Sequence, residues 1–434
     1  MKENKIPLWT AILVNVNIML GVGIFINTIV LSRLSGVLGF LSYAVVGILM
    51  LPLVLSMAKL VSAIPSGGFY AYGKTLLHPF AGFLSSWSYF WGKLASCTLM
   101  IHIFTTTLYA FAPTLKIIPA LAIDSFVIIL FVVLNTLNIK TGTKIQAILF
   151  MLKVIPILFV ILGGFAIYNH ANINFENAIW SGFPATLALV VYAFSGFEAS
   201  CSLSQSIENA EKNAPRAIII SYVITVCTCL LYQFAAFASI GTNVATLSHF
   251  SQLYGIMIGT LLAKFATIAP HIKALMYAAM AASSLGGAYG IMFSNNWNLY
   301  HIANDSKSAF FRKLNNFNKH NIAYLCVLAE GLICLFYILI TTGNQLPLQQ
   351  IGAFGCIIAY TISIISLGMG IIKNKINASK SICILAIGNC LILAASTVQS
   401  FIATANVFSL CLFLSILTLG VITFSLTKKG NKVY

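Results

Sequence analysis

From Leu8 to Ser32 the chain runs 25 residues without a charged side chain. A helix of that length crosses the roughly 30 Å hydrocarbon core of a bilayer at about 1.5 Å per residue. Comparable uncharged stretches recur along the sequence and give twelve candidate spans, starting near residues 8, 36, 80, 118, 142, 179, 217, 263, 321, 347, 379 and 405. No water satisfies backbone groups inside lipid, so each span must close its own hydrogen bonds as a helix. Only 7% of the 434 residues are charged, against about 25% in soluble domains. The expectation is an all-α integral membrane protein with about 12 transmembrane helices.

The formal charge of +16 invites a nucleic-acid reading, but its distribution argues against one. With the N-terminus placed in the cytoplasm, eighteen of the 24 Lys and Arg residues fall on the inner side. Four fall outside and two, Lys93 and Lys153, lie within spans. This asymmetry is the positive-inside rule, and nucleic acid is not needed to explain it. The ten cysteines lie mostly in apolar stretches without a C-x-x-C pair or zinc-like spacing, as small hydrophobes do. The expectation is no metal and no cofactor. The first apolar run is too long for a cleavable signal peptide and lacks a cleavage site after it. It reads as the first span, with both termini cytoplasmic.

That first run contains Gly21 and Gly23 near its centre, in N-I-M-L-G-V-G-I-F-I-N. Glycine costs about 1 kcal/mol relative to alanine within a helix. Opened backbone at membrane depth survives only where it lines a protein cavity. Close helix packing on small residues also uses glycine, so from this stretch alone both readings are open. The sixth span, 179–203, is interrupted in the same way at Ser195-Gly196, with Glu198 just beyond. Five spans separate the two interruptions. An odd number of spans per unit makes the second unit enter from the opposite side, which is an inverted repeat. The expected units are 1–168, 169–374 and a peripheral helix pair, 375–434. Half-helix N-termini would present N–H groups to an anion, and freed carbonyls would accept from a cation. A site offering both suits a zwitterion, an α-amino acid.

Buried charges mark further candidates. Lys153 lies well inside the fifth span, and an ionisable residue at depth is by default functional. Lys93, placed earlier in the third span, is expected to snorkel to the interface. Asp124 is expected to be solvated at the end of the fourth span. Glu330 in the ninth has no obvious partner.

N-I-M-L-G-V-G-I-F resembles the first-helix G-x-G-[IV]-F signature of the amino acid–polyamine–organocation (APC) superfamily of permeases. Y-A-F-S-G-F-E resembles its sixth-helix motif, and E-N-A-E-K-N-A-P-R-A-I the loop that follows. There Ala210 stands where the pattern usually has proline. P-S-G-G-F-Y-A-Y and H-P-F-A-G-F are similar to the family's turn after helix two and its third-helix start. The resemblance covers spans 1 to 7 by motif and the rest by hydropathy. It implies a LeuT-like 5+5 inverted repeat with broken helices 1 and 6, two peripheral helices and alternating access. By position, Leu20, Gly21, Val22 and Gly23 would hold the substrate carboxylate, and Phe194, Ser195 and Gly196 its ammonium. Tyr192 matches a gating aromatic and Glu198 a proton-sensing glutamate. Lys153 resembles a lysine that replaces a sodium ion in proton-coupled members and would respond to pH.

The expected function is sodium-independent, proton-coupled amino acid uptake in a bacterial cytoplasmic membrane, with lipid, protons and a small amino acid as partners. Exchange of one amino acid for another or for an amine is the alternative, and a non-transporting sensor a remote one. An enzyme would need converging Asp, Glu or His near one membrane face, and eight scattered carboxylates offer none. Ser96, Cys97, Met100, Phe194, Ser283 and Ser284 are the expected pocket side chains. With no carboxylate beyond Glu198 to pair a basic group, a neutral or apolar substrate is favoured.

Overall fold

The structure is a computed structural model that describes residues 5–428 apart from Val22, Ala266 and Ala405; the side chains of Asn177, Ala188, Tyr192, Phe310, Ser400, Ala403, Thr404, Thr427 and Lys428 are also outside the description. The chain is helical throughout, and the isolated bridge Ile6–Ile207 is the only β pairing among the described residues. In order, the α-helices are α1 (Leu8–Met19), α2 (Gly23–Ser35), α3 (Gly39–Leu49), α4 (Leu51–Ala63), α5 (Gly68–Leu76), α6 (Pro79–Phe111), α7 (Ala120–Asn135) and α8 (Ile139–Ala166). The second half holds α9 (Phe183–Ala193), α10 (Ala199–Ser202), α11 (Ala210–Ile240), α12 (Asn243–Thr246), α13 (Ser251–Leu261), α14 (Ala269–Asn304) and α15 (Ala309–Lys313). The chain closes with α16 (Tyr324–Thr341), α17 (Gln345–Ile372), α18 (Lys380–Thr404) and α19 (Val407–Lys428).

Eight helical stretches among the described residues are long and apolar enough to cross a membrane: Gly23–Leu49, Pro79–Phe111, Ile139–Ala166, Ala210–Ile240, Tyr324–Thr341, Gln345–Ile372, Lys380–Gln399 and Val407–Leu426. The pair α4–α5, bent by 81°, makes a ninth if taken as one span. The difference from twelve has physical causes. The apolar helices α1, α7 and α9 are 12, 16 and 11 residues long, short of the roughly 20 that a straight span needs. Helix α14 has 36 residues, but between Lys273 and Asn295 it is built largely of Ala, Ser and Gly, so it is less apolar than the spans counted above.

Local sequence explains the boundaries. Pro79 opens α6, where a missing N–H costs nothing, and His78 caps it by accepting from the Phe80 N–H at 3.2 Å. Asn138 caps α8 through the Thr141 N–H at 2.8 Å. The α4–α5 bend is made at Gly67, whose φ of 91° is the left-handed region.

Helix α6 is the axis of the molecule and packs along both α14 and α17. A Cβ on Gly92 would come 2.8 Å from the Gly355 Cα, so the backbones of α6 and α17 touch there. Helix α8 is two-faced. Ile148, Met151, Ile155, Leu158 and Leu162 form an exposed apolar stripe at helical spacing, suited to lipid. The opposite face, with Gly142, Gln146, Lys153, Pro156, Val160 and Gly164, is buried. That rotation aims Lys153 at the interior and rules out snorkelling along the lipid face.

Candidate functional site

Helix α1 stops at Met19 because Leu20 leaves the helical region at ψ 52°, and α2 begins at Gly23. Helix α9 stops at Ala193, and Phe194 to Glu198 form turns before α10. The two interruptions lie against one another. A Cβ on Gly23 would meet the Ala193 Cβ at 3.8 Å, while one on Gly196 would meet the Ile18 Cγ2 at 2.8 Å and the Met19 N at 3.1 Å. With φ at 135°, Gly196 also adopts a backbone that only glycine enters without strain.

The opened backbone is satisfied by side chains from other helices, as buried polar groups require. Asn15 of α1 is completely buried. It donates to the Phe197 carbonyl at 2.8 Å and accepts from the Ser200 N–H and Oγ at 3.1 and 3.0 Å. It thus closes the interruption of the other helix, 182 residues away. On α8, the Lys153 Nζ donates to the Asn17 carbonyl at 2.5 Å, and Gln146 accepts from the Asn17 side-chain amide through its backbone oxygen at 3.3 Å and through its own amide oxygen. The last full turn of α1 is therefore held by α8.

Between the interruptions is a cavity of about 30 Å³, lined by Ile18, Met19, Gly21, Gly23, Lys93, Ser96, Met100, Ala193, Ser195 and Ile291. That is room for a water molecule or two. The Met100 side chain of α6 fills much of the remaining space beside Gly21, whose added Cβ would stand 3.0 Å from the Met100 Cε.

Lys93 corrects the snorkelling expectation. It is the fifteenth residue of α6, about 21 Å from the helix start, and it is buried. Its ammonium lies 2.7 Å from the Glu198 Oε1 and donates to the Ser195 Oγ at 3.0 Å. Tyr89, one turn earlier, donates to the same carboxylate oxygen at 3.1 Å, and the Gly196 N–H donates to the Glu198 Oε2 at 2.8 Å. The Tyr360 hydroxyl of α17 stands 3.5 Å from the Ser195 Oγ. Glu198 therefore ties the turn of the sixth span to an ammonium on α6.

Of the residues singled out from sequence, Gly21, Gly23 and Ser195 line the cavity, with Ser96 and Met100 from α6. Leu20 and Gly196 are packed behind it, and the Phe194 ring turns away onto Tyr43 and Tyr222. Lys153 and Glu198 stand one contact back, through the Asn17 carbonyl and Lys93. Cys97 faces the Ala288 carbonyl at 3.4 Å. Val22 lies outside the described residues, as does the Tyr192 side chain. Asp124 is buried rather than solvated, accepting from Thr105 Oγ1 at 2.5 Å and lying 2.8 Å from the His102 Nδ1. Sequence reasoning missed Asn15 and the direction of Lys93. For Asn15 the available signal was a carboxamide inside an apolar span, which demands a partner. Among the described residues no group of three His, Cys, Asp or Glu is placed to hold a metal ion.

Comparisons with known proteins place the sequence in a family. The chain is 25% identical over 244 residues to an uncharacterised transporter of Mycobacterium tuberculosis, covering 55% of this chain and 54% of that protein. It is 24% identical over 220 residues to the Bacillus subtilis protein named "Probable threonine/serine transporter YbxG", covering 46% and 47%. The matched region spans about half the length of these curated relatives. The family model described as amino acid permease matches residues 6–432, nearly the whole sequence, and the chain belongs to that family.

Proposed function

We propose that the chain is a secondary transporter of α-amino acids that works by alternating access, and not an enzyme. The observation that carries this reading is the pair of facing helix interruptions, Leu20–Gly21 and Phe194–Glu198, around one cavity in a chain of the permease family. The substrate carboxylate is bound by N–H groups of Leu20 to Gly23, and the ammonium by carbonyls of Phe194, Ser195 and Gly196. Residues 1–168 and 169–374 form the two inverted halves, with 375–434 peripheral and Tyr192 closing the outer path. The termini face the cytoplasm of a bacterial cell.

Coupling is sodium-free. The Lys153 amino group on the Asn17 carbonyl takes the place beside the opened helix where a bound cation would otherwise be needed, and it gains and loses its proton there. Glu198 is the second proton-linked group. A basic substrate side chain would meet no carboxylate but Glu198, which Lys93 already pairs; neutral and acidic side chains remain.

Uptake of amino acids by the full chain in liposomes, with and without sodium and a pH gradient, tests the reading. Uptake into substrate-free, pH-clamped vesicles without sodium is expected. Uptake that occurs only with amino acid inside would instead establish exchange, and binding without uptake a sensor. Lys153→Ala should flatten the pH profile of uptake; an unchanged profile would reduce Lys153 to a helix tether.

A further inference from the structure

We propose that Lys93 is the side-chain selectivity residue of the cavity and that the preferred substrate is an acidic α-amino acid, whose side-chain carboxylate takes the place of Glu198 on the Lys93 ammonium. The inference rests on the amino acid reading of the site and specifies its substrate class.

Three observations support it. Lys93 is the only charged side chain lining the cavity among the described residues, and it does so beside the hydroxyls Ser96 and Ser195. It projects from α6 to the Ser195 hydroxyl at 3.0 Å, which stands 3.5 Å from the Tyr360 hydroxyl and 3.9 Å from the Cys356 Sγ of α17. A substrate held by the two interruptions therefore shares its cavity with an ammonium. Finally, that ammonium is already matched to a carboxylate at 2.7 Å, so the surroundings accommodate the pair a substrate carboxylate would form.

Displacement needs Glu198 to give up its charge. A buried ammonium cannot lose its counter-ion without replacement. A substrate carboxylate entering while Glu198 stays ionised would place two anions on one cation. The balanced step is concerted: the substrate carboxylate takes over the Lys93 pairing as Glu198 takes up a proton from the outer solution, so the ammonium is never without an anion. As a carboxylic acid, Glu198 still accepts from Tyr89 and from the Gly196 N–H. On the inner side the amino acid leaves, Glu198 releases its proton, and the original ion pair re-forms. One proton travels with one monoanionic amino acid, so net charge movement is zero. The titratable groups facing Glu198 are Lys93 and Tyr89 of α6, Cys201 one turn on, and Cys356 and Tyr360 of α17. None of these besides Lys93 carries charge at neutral pH in its ordinary form.

The test is radiolabelled binding and uptake by the purified full chain, with glutamate and aspartate set against glutamine, asparagine, threonine, serine and leucine. Acids are expected to outcompete their amides by roughly tenfold or more at acidic pH, with uptake driven by a pH gradient and indifferent to membrane potential. Lys93→Met should reverse that order while amides still bind, and Glu198→Gln should make acid binding independent of pH. Should Lys93→Met fail to fold, the order of acids and amides on the wild-type chain decides. Preference for threonine, serine or leucine over the acids, or a Lys93→Met variant with unchanged order, overturns the inference and leaves an amino acid transporter. Failure of every α-amino acid to bind overturns the amino acid reading itself.

Discussion

Glu198→Ala should lower the thermal stability of the purified protein by the equivalent of about 3–5 kcal/mol, the range for removing one partner of a buried ion pair. The substitution takes one acceptor away from three donors. The Lys93 ammonium loses its carboxylate at 2.7 Å, Tyr89 loses its acceptor at 3.1 Å, and the Gly196 N–H loses its acceptor at 2.8 Å. Each unsatisfied neutral donor costs about 1–3 kcal/mol, and the ammonium more. Lys93→Met in the same background should restore most of the loss, because replacing both members of a buried pair with apolar groups is often neutral. Thermal scans of the four proteins in detergent give the coupling as a double-mutant cycle. A single mutant as stable as the double mutant would show that the pair holds nothing. The loss also explains why exchange of partners must be concerted with protonation: at every stage of a transport cycle Lys93 needs an anion beside it.

The parts of this molecule that could be read from sequence are those where a residue violates the needs of its own span. Gly21, Gly23 and Ser195-Gly196 are poor helix formers at membrane depth, and the backbone opens within a residue or two of each. Lys153 was legible for a related reason, since a cation that far along a span has to be held by something. Facing was not legible. The depth of Lys93 follows from counting, but its direction follows from the rotation of α6, which is fixed where Gly92 meets Gly355, a contact between residues 263 positions apart. Asp124 was misplaced for the same reason. Its position near a helix end suggested solvent, whereas its partner His102 stands on the neighbouring helix. The span count suffered because hydropathy registers apolar segments, whereas α1 and α9 are cut short by the interruptions themselves. Glu330 is a fully buried carboxylate of α16 beside the side chains of Asn295 and Cys334, and its place in the fold was not legible from the sequence.

Gly23→Leu should abolish amino acid binding while the protein still inserts and purifies as a monodisperse species. The first carbon of the new side chain is tolerated, because it would stand 3.8 Å from the Ala193 Cβ, an ordinary contact. The remaining three carbons have nowhere to go but the cavity of about 30 Å³. They would occupy the space over which the N–H groups of one interruption and the carbonyls of the other converge. Gly23→Ala separates the two effects. It adds only the tolerated carbon, so it should keep the wild-type melting temperature and weaken binding by less than tenfold, whereas leucine should weaken it by more than about a hundredfold. Ligand-induced shifts in melting temperature measure both variants, since anything that binds only the folded state stabilises it in proportion to RT ln(1 + [L]/Kd). If the leucine variant shifts as the wild type does, the substrate is bound elsewhere. The facing interruptions would then serve only to let the helices flex, with Asn15 and Lys153 as the pins about which they do so.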